Sequence, residues 1–108
     1  MMQKKLYEIL VPAGTEEGNE LPLGYHKEWD DYVTSLCGGL TILRSTKGRW
    51  IDHRDGQEFS EKMIPVRVYC TRDQLDEIID FTMEHYVQRA VLAYCVSEEV
   101  ILRHKDDQ

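Results

Sequence analysis

The stretch TRDQLDEIIDFTMEHYVQ, residues 71–88, most constrains what this chain can fold into. Leu75, Ile78, Ile79, Thr82 and Tyr86 recur on one face of a helix, with Phe81 and Val87 at its margins. Thr71 followed three residues later by Gln74 is a capping box, and Asp73, Asp76 and Glu77 suit the positive end of the helix dipole. The segments on either side are β-like. EFSEKMIPVRVYC, 58–70, alternates, with Ile64, Val66, Val68 and Cys70 on one face and Met63, Pro65, Arg67 and Tyr69 on the other. AVLAYCV, 90–96, reads as a buried strand. A one-faced helix placed directly between two strands must bury its apolar stripe on the sheet they form, so the chain is predicted to be α+β.

The remaining segments extend this pattern. Leu6 to Val11 reads as a strand, and TEEGNELPLG, 15–24, as a loop. In HKEWDDYVTSLCGG, Trp29, Tyr32, Val33 and Leu36 share a helix face, and Gly38 or Gly39 supplies the stop. LTILRS, 40–45, is a strand, TKG, 46–48, a turn, and RWID a continuation. Asp55-Gly56 signals a hairpin. Pro65 cannot donate to a ladder, so a bulge or an unpaired edge is expected there, and Val100 to Leu102 are read as an extension of the last strand. The order is β-α-β-β-α-β. This is the ferredoxin-like split βαβ arrangement in one domain, 1–108, with two helices on one face of an antiparallel sheet. Two such domains could close as a dimeric α+β barrel.

The net charge of −7 repels phosphate backbones and anionic membranes, and no apolar run approaches the ~20 residues that cross a bilayer. No nucleic-acid or membrane partner is expected, and MMQKKLYEILVPAG is too short and too broken by Glu8 to read as a signal peptide. Cys37, Cys70 and Cys95 form no CxxC, and His26, His53, His85 and His104 are scattered. The expectation is three small buried apolar cysteines in a cytoplasmic protein without metal or cofactor, with His85 at the surface and His26 packed beside Trp29.

The sheet face away from the helices is predicted to carry Arg67, Tyr69, Leu92, Tyr94 and Val96, with Ala93 and Cys95 under the helices. A mixed apolar, aromatic and basic face on a small domain calls for a cover, and the simplest is a second copy, giving a homodimer. The densest polar-aromatic group is Arg44, Lys47, Arg49, Trp50, His53 and Arg54. Guanidinium forks and an indole could hold an anion or a nucleotide. The competing reading is a solvated hairpin whose Trp50 plugs the core. EKMIPVRVYC has only Tyr69 where an RNA-binding sheet would show several aromatics, so that role is not expected. Glu61 is expected opposite Arg44 as a cross-strand pair, or else as a general base beside Tyr69 or His53. Gln88, between the second helix and the last strand, could bind a ligand with its amide, but the favoured reading is a residue that fixes backbone in a turn.

KLYEIL, HKEWDDYV, GGLT, KGRW, a glycine, a Glu-Lys pair and QRAVL follow one another in the order of a bacterial family of unknown function. The chain resembles that family over residues 5–102. The family consists of small single domains with a GLT…GxW…E…QxxV signature, and here the loop before the first helix is longer. The resemblance implies a ferredoxin-like fold and makes Gly39, Leu40, Thr41, Gly48, Trp50, Glu61, Gln88 and Val91 signature positions. It implies no activity.

The favoured functional reading is a non-enzymatic homo-oligomeric module binding a small anionic, nucleotide-like ligand on the open sheet face or dimer seam. Arg44, Arg49, Trp50, His53, Glu61, Arg67, Tyr69 and Tyr94 are the candidate ligand residues, the arginines converging on the charge. One alternative is a cofactor-free enzyme of the dimeric α+β barrel type that uses Tyr69, His53, Glu61 and Arg67. The other is a structural subunit whose sheet face is filled by protein.

Overall fold

The computed structural model describes residues 3–15 and 19–106. Residues 1–2, 16–18 and 107–108, which include part of the expected 15–24 loop, lie outside the described residues. The elements are β1 (Lys5–Pro12), α1 (Leu23–Cys37), β2 (Thr41–Ile42), β3 (Thr46–Ile51), β4 (Glu58–Cys70), α2 (Arg72–His85) and β5 (Ala93–Ser97). The antiparallel sheet runs β2-β4-β1-β5, with β3 also on β4. Because β2 and β3 lie along the same partner, they are two pieces of one strand. The architecture is the ferredoxin-like β-α-β-β-α-β.

That strand is split because three residues, 43–45, face two, 64 and 65, between the pairs Ile42↔Val66 and Thr46↔Met63. Leu43 donates to the Pro65 carbonyl at 2.9 Å, and Pro65 has no N–H to return. The bulge expected at Pro65 therefore appears in the strand opposite it. TKG is not a turn. It opens β3, and the reversal falls at 52–57, where Asp52 donates to the Gln57 carbonyl at 2.9 Å and Gly56 adopts a left-handed φ of 73°.

α1 ends as the glycine pair dictates, with Gly38 at φ 88° donating to the Thr34 carbonyl at 2.8 Å. α2 begins with the full capping box, Gln74 N–H to Thr71 Oγ1 and Thr71 N–H to Gln74 Oε1. It stops at His85, earlier than its apolar periodicity, because Gln88 N–H turns back to the Met83 carbonyl at 3.0 Å. That closure forces Val87 to φ 52°, an uncommon conformation for a β-branched residue.

β5 is shorter and more exposed than expected, and residues 100–102 are not a strand. Ser97 already faces Leu6, next to the first residue of β1, so no partner remains beyond it. Of the three cysteines, only Cys70 is buried. Cys37 is half-buried, and Cys95 is exposed because it lies on the edge strand.

The core fills the space between the helices and one sheet face, with Ile9, Val66, Val68, Val33, Ile78 and Trp29 almost wholly buried. Each such side chain contributes roughly 1.5–3 kcal/mol by leaving water. Trp29 donates Nε1–H to Thr82 Oγ1 at 2.8 Å, and that hydroxyl donates to the Ile78 carbonyl at 2.6 Å. His26 bonds to the Tyr86 hydroxyl at 2.8 Å rather than packing beside Trp29. His85, expected at the surface, is stacked on Tyr25 with its Nε2–H donated to the Tyr25 carbonyl at 2.8 Å.

Candidate functional site

Strand alternation sorts the chemistry onto the other sheet face. Tyr7, Ile9 and Val11 of β1 pair with Val68, Val66 and Ile64 under the helices. Glu8 and Leu10 therefore face away with Arg67 and Pro65, and Tyr94 of β5 stands opposite Glu8. On the far half of β4, Thr46, Gly48 and Trp50 pair with Met63, Glu61 and Phe59 and continue the same face.

A half-open cleft of about 1090 Å³ runs along this face. Leu10, Gly48, Met63 and Pro65 form its floor, Gln88 to Leu92 one wall, Glu8 and Tyr94 one end, and Trp50, Asp52, His53 and Arg54 the other. Glu8 and Trp50 sit at the levels of Arg67 and Phe59, eight residues apart on β4, about 26 Å of extended strand. On the floor Gly48 lies against the Met63 terminal methyl, which a Cβ at 48 would approach to 2.1 Å and so displace.

Glu8 is buried at 7% exposure and satisfied on both oxygens. Arg67 Nε donates to Oε1 at 2.9 Å, and the Tyr94 hydroxyl donates to Oε2. The Tyr94 bond, with the Arg67 bond and charge, holds the Glu8 carboxyl below its ordinary pKa against the opposing effect of burial. The same bond raises the Tyr94 phenol.

At the other end, Asp52 is buried at 5% exposure and accepts from Arg54 Nε at 3.0 Å, Arg54 NH2 at 2.7 Å, the Arg54 backbone N–H at 2.9 Å and Arg89 NH1 at 3.1 Å. Arg89 also donates to Asp55 at 3.1 Å and lies 4.7 Å over the Phe59 ring. The hairpin tip is thus tied to the segment between α2 and β5. The Arg54 bonds, then Arg89, push the Asp52 carboxyl far below the usual carboxylate range. Trp50 stacks on Phe59 with ring centroids 4.8 Å apart and planes 21° apart.

The expected site residues are only partly brought together. Arg49, Trp50, His53, Glu61 and Tyr94 line the cleft. Trp50 lies on the open face, so it is not a core plug. Arg44 is exposed in the strand break and does not line the cleft, and Glu61 faces Gly48 rather than Arg44. Arg67 lies behind Glu8, and Tyr69 lies beside Lys4, whose ammonium is 5.6 Å from the ring. The arginines do not converge. Arg49 pairs with Glu58 at 2.9 Å, Arg67 with Glu8 and Arg54 with Asp52. Of the signature positions, Gly48, Trp50, Glu61, Gln88 and Val91 line the cleft and Gly39, Leu40 and Thr41 do not. Sequence reasoning missed Glu8, Asp52 and Arg89. The available signal was a glutamate inside an apolar strand, which must find partners or cost several kcal/mol. Among the described residues, no group of three His, Cys, Asp or Glu side chains is placed to hold a metal ion.

No helix among the described residues is long and apolar enough to cross a membrane. No family model and no curated protein matches the chain. Several solved structures are similar to it. A phage SAM lyase in complex with S-methyl-5'-thioadenosine aligns with a TM-score of 0.67 at 10% identity, over 91% of this chain and 84% of that one. The periplasmic divalent cation tolerance protein CutA from Archaeoglobus fulgidus aligns at 0.64 and 12% identity, over 94% and 89%. The divalent cation tolerance protein from Thermus thermophilus aligns at 0.58 and 9% identity, over 85% and 82%. At these identities the likeness establishes the small ferredoxin-like fold that the family resemblance implied.

Proposed function

We propose that the chain is a small-molecule-binding module whose open-face cleft takes a nucleoside-like ligand. The observation that carries this reading is the Trp50 indole, stacked on Phe59 and presented into a cleft whose floor is apolar. An aromatic face of this kind receives a nucleobase by stacking, worth about 1–3 kcal/mol per base. Gln88 on the wall is a donor for its polar edge. Arg49, Arg54 and Arg67 each carry a carboxylate partner, so a phosphate must compete with an ion pair already made. This favours the nucleoside half of a nucleotide-like ligand over its anionic half. The solved lyase of similar fold is in complex with a nucleoside thioether, which supports the ligand class. A second copy covers the face in this reading, because Leu92 and Tyr94 in the cleft and Val96 on the same strand leave apolar surface exposed.

A cofactor-free enzyme is the second reading, favoured by one observation. The Glu8–Tyr94 pair places a carboxylate and a phenol at the end of the same cleft.

Titration calorimetry with 5'-methylthioadenosine and with adenosine monophosphate tests the binding reading. The nucleoside is expected to bind at least as tightly as the nucleotide, and Trp50→Ala to lose both. A folded wild-type protein that binds neither overturns the reading. Release of product from a bound nucleoside sulfonium would establish the second.

A further inference from the structure

The two groups that recognise a base in this reading lie on different parts of the chain. Trp50 belongs to β3, and Gln88 to the irregular segment between α2 and β5. That segment is loosely tied by its own backbone. It leaves α2 through Val87 at φ 52°, and Gln88 N–H is bonded to the Met83 carbonyl. Its next backbone bond is at Leu92, whose carbonyl accepts from Leu10 at 3.0 Å. Among the described residues, no backbone–backbone hydrogen bond holds residues 89–91. The Arg89 side chain crosses to the hairpin instead. Its NH1 donates to Asp52 and to Asp55, each at 3.1 Å, and its guanidinium carbon lies 4.7 Å from the centre of the Phe59 ring. The same ring carries the Trp50 indole, with centroids 4.8 Å apart. One guanidinium therefore holds the segment that bears Gln88 against the aromatic pair that faces the cleft. Buried Asp52 does not depend on Arg89 for its charge balance, because Arg54 supplies it with two side-chain donors and one backbone donor.

We propose that Arg89 is a positioning residue of the nucleoside-like site: by bracing Phe59 and holding the 88–92 wall against the hairpin, it fixes the Trp50 face and the Gln88 amide relative to each other. The proposal rests on the nucleoside reading above and adds the residue that preorganises that site. Arg89 acts here through Phe59 and through its neighbour in the chain, without touching the ligand. Such a brace raises affinity because the rings and the wall are already ordered when the ligand arrives, so less conformational freedom is lost on binding. A cation over the ring is the part of Arg89 that matters for Phe59, so a lysine can replace it in part and an apolar side chain of similar length cannot.

The test compares full-length wild type, Arg89→Lys and Arg89→Met. Without ligand, nitrogen–proton correlation spectra resolve the indole N–H of Trp50 from that of Trp29, which serves as the internal reference because it is bonded to Thr82 inside the core. Arg89→Met is expected to shift or broaden the Trp50 signal and to leave the Trp29 signal in place, and Arg89→Lys to stay near wild type. In titration calorimetry with 5'-methylthioadenosine, Arg89→Met is expected to bind roughly ten-fold more weakly, and Arg89→Lys to recover most of that loss. An affinity that Arg89→Met leaves unchanged overturns the proposal. Equal weakening in both variants, or a Trp29 signal that moves with Trp50, also overturns it, because the loss then comes from general loosening of the fold. A wild-type protein that binds no nucleoside overturns the nucleoside reading instead, and the Trp50 signal then decides by itself whether Arg89 braces the aromatic pair.

Discussion

Arg67 on β4 and Glu8 on β1 are direct cross-strand partners, joined at 2.9 Å on the sheet face opposite the helices. Tyr94 reaches the same carboxylate from the other neighbour of β1. One buried charge therefore staples three adjacent strands, and it does so at the end of the cleft. The helix side needs no such device, because its pairs are apolar.

Removing one partner leaves that buried charge underpaired. Arg67→Met is expected to destabilise the protein by about 1–3 kcal/mol in urea unfolding. The effect depends on pH. The Tyr94 bond and Arg67 depress the folded-state Glu8 carboxyl below its ordinary 4.5, so the stabilisation is complete above that value and is lost as pH falls through the folded-state value. The gap between wild type and Arg67→Met should narrow as the pH drops below 4.5. A gap that stays constant across this range would mean that Arg67 acts by packing alone.

The hairpin tip hangs on Arg89, which reaches both Asp52 and Asp55 at 3.1 Å. Arg89→Gln should speed hydrogen exchange several-fold at the amides of Asp55, Gly56 and Gln57 and leave Val66 and Val68 unchanged. Mild acid should not reproduce this effect, because the Arg54 bonds keep the Asp52 carboxyl ionised far below the usual range. Unchanged exchange at the tip would show that the Arg54–Asp52 pair suffices to hold it.

Thr82 stands inside the core at 0% exposure, where its hydroxyl accepts the Trp29 indole N–H. Thr82→Val keeps the shape and orphans that N–H, at a cost of about 1–3 kcal/mol in denaturant unfolding. Thr82→Ser keeps the bond and should cost less, the loss of one buried methyl, about 1 kcal/mol. Equal stability of the valine variant and the wild type would refute the role given to this bond.

The sequence by itself determined the parts of the fold that rest on local physics. The capping box at Thr71 and Gln74, the Gly38 stop and the Asp55-Gly56 hairpin all formed where the residues required, because each satisfies backbone groups within a few positions. The alternation over 58–70 placed Val66 and Val68 under the helices and Arg67 on the open face, which follows from the period of two alone. Tertiary structure decided what depends on a partner distant in sequence. The break at 43–45 exists because Pro65 lies opposite, and β5 stops at Ser97 because β1 offers nothing further to pair with. The site was legible only in part for the same reason. Trp50 and His53 are local to one hairpin and were seen, whereas Glu8 with Tyr94 and Asp52 with Arg89 are joined across 86 and 37 residues of chain. No local pattern encodes such a pairing. It is set by strand register and by the cost of burying a carboxylate that lacks a partner.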